Sequence, residues 1–261
     1  MFPPDLPPIS NKPLYVYRVF AKWMSFFIIG FCSIIIGILI FPVMRLFIRP
    51  KVRFQKYGRR FISGALRFFI FLMHSMRIVN LEVEDRKKYK ELSSKVIVAN
   101  HPSLLDVVML LSLIPNADCI VNAYLKRNVL TGVVLQLYIL GSRDLDDIFN
   151  SCAESLNQGN CLIVFPEGTR TPRTGRNILK KGAARIALAC GCGIIPVHIG
   201  GTDKFGLGKK DPITGFNPRE RYIYRLTMKE EIKPEKYMSL PAPAAARAIT
   251  NDISSALFPA S

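Results

Sequence analysis

The run from Trp23 to Met44 contains no charged side chain. As a helix it is roughly 33 Å long at 1.5 Å per residue, enough to cross a hydrocarbon core of about 30 Å. A buried core helix would also be apolar. Here Phe26-Phe27-Ile28-Ile29 and Ile34-Ile35-Ile36 put apolar atoms on every face, which favours lipid. Pro42 stands near the end of the run, where a kink is expected.

The flanks orient the run. Residues 1–22 form a leader with Pro3, Pro4, Pro7, Pro8 and Pro13, predicted to be extended. It lacks the apolar stretch and small-residue cleavage site of a signal peptide. It carries only Lys12, Arg18 and Lys22, whereas Arg45, Arg49, Lys51, Arg53, Lys56, Arg59 and Arg60 follow the run. The positive-inside rule then puts the rest of the chain in the cytoplasm, against the inner membrane if the source is bacterial. A second apolar stretch, Phe61 to Met76, is interrupted by Arg67 and His74 and is too short to span. Arg60, Arg67 and His74 recur every seven residues with Ser63 between them, a narrow polar stripe on a helix lying in the membrane surface. A hairpin of both segments dipping into one leaflet is the alternative. Residues 23–78 are therefore expected to anchor a catalytic domain spanning 79–261.

Apolar residues make up 49% of the 261 residues, high for a chain that meets only water. The net charge of +17 is spread along the chain rather than gathered in a tail. It therefore belongs to folded surfaces, whose partners are anionic: phosphate groups, membrane lipids or an acidic carrier protein. There is no zinc-finger spacing, basic zipper or RNP-like strand, so no nucleic-acid partner is expected. The six cysteines, Cys32, Cys119, Cys152, Cys161, Cys190 and Cys192, sit mostly in apolar surroundings and read as free core thiols. No metal site is expected.

From about residue 79, short strands alternate with helices. Strands are predicted at 96–99, 119–121, 162–165, 194–199 and 222–228. Helices are predicted at 104–114, 146–157, 179–190 (stopped by Gly191) and 244–257. This is an α/β pattern: N-terminal membrane helices, then a mostly parallel sheet flanked by helices.

Two motifs follow buried strands directly. His101 succeeds Val96-Ile97-Val98-Ala99, and Asp106 lies five residues on. A carboxylate on one ring nitrogen fixes the imidazole tautomer and leaves the other nitrogen to take a proton from a hydroxyl. The same spacing also fits a helix capping box, with Ser103 as N-cap and Asp106 at N3. The second motif is Phe165-Pro166-Glu167-Gly168-Thr169-Arg170. Gly168 permits a turn with positive φ, and Arg170 offers a planar fork for a phosphate. Glu167 is expected to pair with a neighbouring cation or position a substrate hydroxyl. Arg173 and Arg176 read as solvated loop residues.

Together, Asn100-His101-Pro102-Ser103-Leu104-Leu105-Asp106 and Phe165 to Arg170, about 60 residues apart, resemble the N-H-x-S-x-x-D and F-P-E-G-T-R blocks of the PlsC-like lysophospholipid acyltransferase superfamily. Lys180-Lys181-Gly182 and Ile194-Ile195-Pro196-Val197 are similar to its later blocks, so the resemblance covers roughly residues 90–202. It implies acyl transfer from acyl-CoA or acyl-carrier protein to a lipid hydroxyl with no cofactor, most simply that of 1-acylglycerol 3-phosphate. His101 would be the general base and Asp106 its orienting partner. Glu167, Gly168, Thr169, Arg170, Arg143 and Lys181 would bind substrate. Around Arg143 the chain departs from the family, since Ser142 stands where an acid is usual. A glycolipid, an amino-acid lipid or a secondary-metabolite lipid is therefore an alternative acceptor, and a catalytically silent lipid-binding protein is the alternative of another class. No G-x-S-x-G occurs, and Gly201 to Lys210 does not fit a nucleotide loop. Oligomeric state is not legible.

Overall fold

The computed structural model describes residues 6–122, 137–141, 145–173 and 177–258. Helix α1 (Lys12–Ile35) continues through a π-helical turn (Ile36–Ile40) into α2 (Phe41–Phe47). Pro42 supplies no N–H, and the turn before it widens so that the Phe41 N–H reaches the Ile36 carbonyl. The predicted kink is thus absorbed as a bulge. The helix begins eleven residues earlier than the apolar run, and residues 12–22 are helical rather than extended. Asn11 caps it, its side chain accepting from Leu14 N–H at 3.0 Å. Pro13 falls in the first turn, where its missing N–H costs nothing.

Helix α3 (Lys51–Ser75) packs back along α1 and α2, with Phe41 edge-on to Phe54 at 5.5 Å. It also begins ten residues before the predicted stretch. One face buries Arg59, Ser63, Ile70 and Met73, while Tyr57, Phe61, Phe68 and Phe71 are exposed.

The remaining elements are β1 (Val79–Val83), α4 (Arg86–Glu91), β2 (Val96–Ala99), α5 (Asp106–Leu113), β3 (Ala117–Asn122), β4 (Ile139–Gly141), α6 (Leu145–Asn157), β5 (Cys161–Val164), α7 (Gly182–Cys190), β6 (Ile194–Gly201), β7 (Tyr222–Met228) and α8 (Ala242–Leu257). The seven strands run in the order β1-β7-β6-β2-β5-β3-β4. The five from β6 to β4 are mutually parallel; β7 is antiparallel to β6, and β1 runs parallel to β7.

Both faces of the sheet are covered, which is why its central strands are continuous apolar runs. Ile97, Ala99, Ile163 and Val197 point into one core with Met73, Met109 and Leu110. Val96, Val98, Leu162 and Ile194 point into the other with Cys152, Ala184 and Ile249. Each such aliphatic burial contributes about 1.5–3 kcal/mol. Gly191, in the left-handed conformation, ends α7 as predicted. All six cysteines are free.

Candidate active site

Strand β2 lies between β5 and β6, so the segments leaving β2 and β5 emerge side by side. The first carries His101 and the second Glu167. The exit from β2 is held by Asn100. Its side chain donates to Ile199 O at 2.9 Å and accepts from Ile199 N–H at 2.7 Å, extending the ladder to β6.

His101 Nδ1 lies 2.8 Å from Asp106 Oδ2. The same oxygen accepts Ser103 N–H at 2.7 Å, and Oδ1 accepts the Ser103 hydroxyl at 2.6 Å. Ser103 Oγ in turn accepts Leu105 N–H at 3.2 Å. Helix α5 starts at Asp106, with Leu105 at its cap and no side-chain cap bond, so the expected N-cap at Ser103 is not formed; the two bonds from Ser103 instead fix the carboxylate that faces His101. Asp106 is fully buried, while the His101 side chain keeps 20% of its exposure. With both carboxylate oxygens accepting from Ser103, the contact suits the tautomer that donates from Nδ1, in which Nε2 is the ring's acceptor. Phe165 stacks on the ring at 4.2 Å between centroids, fixing its plane.

The turn after β5 is tied to the His101 segment. Glu167, nearly fully buried, accepts His101 N–H at 3.1 Å, the Thr171 hydroxyl at 2.5 Å and the Asn177 amide at 2.6 Å. Thr171 N–H closes back on His101 O at 2.7 Å. Among the described residues the hydrogen-bond partners of Glu167 are thus neutral donors. Gly168 adopts φ +67°, as the turn requires. A side chain there would also meet Lys180, whose ammonium lies 2.7 Å from the place of a Cβ.

Arg170 Nη1 donates to the carbonyls of Leu207 (2.9 Å) and Gly208 (2.8 Å), so part of its fork holds the 203–217 segment beside the site. Thr169 is exposed, and Lys181 occupies the N-cap of α7. Arg173 is not a free loop residue: it pairs with Asp203 through both of its terminal nitrogens, at 3.0 and 2.5 Å. Arg143 and Arg176 lie outside the described residues. Among the described residues, no three or more His, Cys, Asp or Glu side chains converge as a metal site would require.

Thr171 and Asn177 were not singled out from the sequence, although Thr171 directly follows the second motif. Tyr224 was missed as well. Its hydroxyl lies 2.7 Å from Ser103 Oγ, and Lys204 sits over its ring at 4.6 Å. Burial pulls the Lys204 ammonium down to about 8, although Asp106 and Asp203 oppose the shift.

A family model described as Acyltransferase matches residues 80–200. The chain is 27% identical over 158 residues to the chloroplastic 1-acyl-sn-glycerol-3-phosphate acyltransferase of Arabidopsis thaliana, covering 58% of this chain and 44% of that protein. It is 34% identical over 118 residues to the 1-acyl-sn-glycerol-3-phosphate acyltransferase of Cocos nucifera, covering 41% and 37%. It is 28% identical over 141 residues to the human 1-acyl-sn-glycerol-3-phosphate acyltransferase beta, covering 51% and 50%. The chain thus spans half or less of the length of these curated relatives. Among solved structures, the 1-acyl-sn-glycerophosphate acyltransferase PlsC from Thermotoga maritima superposes with a TM-score of 0.64 at 19% identity, covering 91% of this chain and 97% of that one. That likeness establishes a shared fold.

Proposed function

From the match of residues 80–200 to the Acyltransferase family model and the likeness to the curated relatives, we propose that the chain is a PlsC-like acyltransferase that transfers a fatty acyl group from a thioester to the hydroxyl of a lysophospholipid. The observation that carries this reading is the 2.8 Å contact from His101 Nδ1 to Asp106, which leaves Nε2 as an oriented base.

In the proposed reaction, the acceptor hydroxyl gives its proton to His101 Nε2 as its oxygen attacks the thioester carbonyl. The tetrahedral intermediate expels the thiolate, which takes the proton from the imidazolium. A general base of this kind contributes about 10²–10⁴-fold, and Asp106 stabilises the imidazolium as it forms. Acyl-CoA or acyl-carrier protein would be the donor. The acceptor we propose is 1-acylglycerol 3-phosphate, the substrate in the names of the relatives. Its phosphate would lie among Arg170, Lys180 and Lys181, beside Gly168 and Thr169.

We further propose that the helix pair binds the membrane from one side. Tyr15, Arg18 and Lys22 near the start of α1 bond to residues 206–219, and α3 returns to the same domain, its Ser63 bonded to Ser112. Between those points Phe27, Phe31, Ile38, Leu39, Leu46 and Phe47 are exposed. Arg45, Arg49, Lys51, Arg53 and Lys56 crowd the tip of the hairpin. Burying that tip end-on in hydrocarbon is costly, so a pose along the interface is favoured.

The test uses purified protein in mixed micelles with a long-chain acyl-CoA and 1-acylglycerol 3-phosphate. Formation of the diacyl product by wild type but not by His101→Ala is expected. No product from wild type across phosphorylated and glycosylated lysolipids would overturn the reading.

A further inference from the structure

The 80–200 segment contains the catalytic pair, but two residues beyond it, Tyr224 and Lys204, stand behind that pair through Ser103. Ser103 has one hydroxyl proton, and it goes to Asp106 Oδ1 at 2.6 Å. The 2.7 Å contact between Ser103 Oγ and the Tyr224 hydroxyl must therefore be donated by tyrosine. The order of donation is Tyr224 to Ser103 to Asp106. Tyr224 is completely buried on β7, the strand antiparallel to β6. Behind its ring stands Lys204, only 6% exposed. Its ammonium donates to the carbonyls of Thr202 and Ile223, the latter at 2.8 Å. Among the described residues it forms no direct bond to a carboxylate. A buried cation and a buried anion thus face one another across one tyrosine and one serine.

We propose that Tyr224 and Lys204 are positioning residues of the catalytic pair, holding Asp106 as a fixed anion against His101. This rests on the proposed role of His101 as base. The tyrosine hydroxyl polarises Ser103, which strengthens its bond to Oδ1 and leaves Oδ2 for the imidazole. The cation balances the charge of Asp106 without contacting it, and so moderates how strongly Asp106 raises the basicity of His101. Lys204 is also faced by Asp203, itself paired with Arg173, and by Glu220. Its burial makes the arrangement sensitive to alkali, because a lysine brought down to about 8 loses its charge within a usable assay range.

The experiment follows kcat and KM from pH 6 to 10 in wild type, Tyr224→Phe, Lys204→Met and Lys204→Arg. It also follows the His101 imidazole by NMR titration, with His101→Ala identifying its signal among the three histidines. In Tyr224→Phe we expect kcat to fall about tenfold with KM nearly unchanged, and the His101 signal to titrate at a higher pH than in wild type. Lys204→Met should move it in the same direction. Lys204→Arg, whose guanidinium stays charged, should keep the wild-type titration and retain activity above the pH at which wild type declines. An unchanged His101 titration in both Tyr224→Phe and Lys204→Met overturns the proposal. So does an alkaline decline in Lys204→Arg that matches wild type. If Tyr224→Phe fails to fold, the two Lys204 variants decide. An inactive wild type whose His101 titration still responds would instead overturn the transferase reading and leave the positioning intact.

Discussion

The Lys22 ammonium, on the first helix, donates to the Gly215 carbonyl at 2.5 Å, and also to Ile213 at 2.6 Å and Gly206 at 3.4 Å. The segment it holds is the one whose Leu207 and Gly208 carbonyls accept Arg170. The anchor helix, this segment and the Glu167–Arg170 turn are thus joined by hydrogen bonds. Lys22 is fully buried, so Lys22→Met leaves three carbonyls without their donor, at a cost of about 1–3 kcal/mol for each one left unsatisfied. We expect a thermal midpoint several degrees lower and a reduced kcat/KM, because the clamp on Arg170 loosens. Unfolding followed by circular dichroism in detergent, together with an activity assay, checks both. An unchanged midpoint would show that the contact contributes nothing.

Asp106→Asn should separate the two uses of that carboxylate. An amide keeps one acceptor oxygen, so either the bonds from Ser103 or the imidazole tautomer is lost. We expect activity to fall by about 10³–10⁴-fold, as when a triad aspartate is neutralised. The midpoint should fall as well, because a buried donor of Ser103 left without its acceptor costs about 1–3 kcal/mol. His101→Ala should match the loss of activity with little loss of stability. Steady-state rates and melting curves on the same preparations distinguish the two variants.

Glu167→Gln tests the hub beneath the second motif. The carboxylate accepts from His101 N–H, the Thr171 hydroxyl and the Asn177 amide. A glutamine turns one acceptor into a donor and sets it against a donor already present. The expected cost is about 1–3 kcal/mol, with a lower kcat because the backbone of His101 is released. A variant with full activity and wild-type stability would remove Glu167 from the architecture of the site.

Much of this was legible in the chain because the buried parallel strands leave apolar runs, and the residues after β2 and β5 are motif residues. His101 and Glu167 could be placed that way. Short or mixed elements could not: β1 alternates polar Asn80 and Glu82 with apolar residues, and β4 has three residues. The start of α1 was hidden by Pro13, which looks like a helix breaker and acts as a first-turn residue once Asn11 caps the helix. Glu167 was expected to meet a cation or a substrate hydroxyl because the local sequence is basic, and among the described residues its partners are a backbone N–H and neutral side chains. Tyr224 is 121 residues from Ser103, and only the docking of β7 against β6 brings the two together. Arg173 and Asp203 meet for the same kind of reason, as neighbouring loops at one end of the sheet.

The buried pair of Arg59 and Asp118 offers the last test, because it ties α3 to the sheet. Arg59 Nη2 lies 2.7 Å from Asp118 Oδ2, which also accepts the Ser155 hydroxyl at 2.8 Å. Burial pushes the Asp118 carboxyl up, and Arg59 is the largest influence opposing it. A carboxyl raised in the folded state holds its proton more tightly there than in the unfolded chain. Its contribution to stability is therefore most favourable at or below the ordinary carboxylate range and is lost as pH rises through the raised value. Removing Arg59 raises the folded value further. The deficit of Arg59→Met relative to wild type should then grow from mildly acidic to neutral pH, reaching about 3–5 kcal/mol where an unpaired buried carboxylate remains. Arg59→Met combined with Asp118→Leu should recover much of that loss and abolish its pH dependence, since no charge is left to bury. Denaturant melts of the three proteins at pH 5 and pH 8 make the comparison. A deficit independent of pH would mean that Arg59 supports α3 through packing and its bond to Leu137 O at 3.1 Å, with its charge of little consequence.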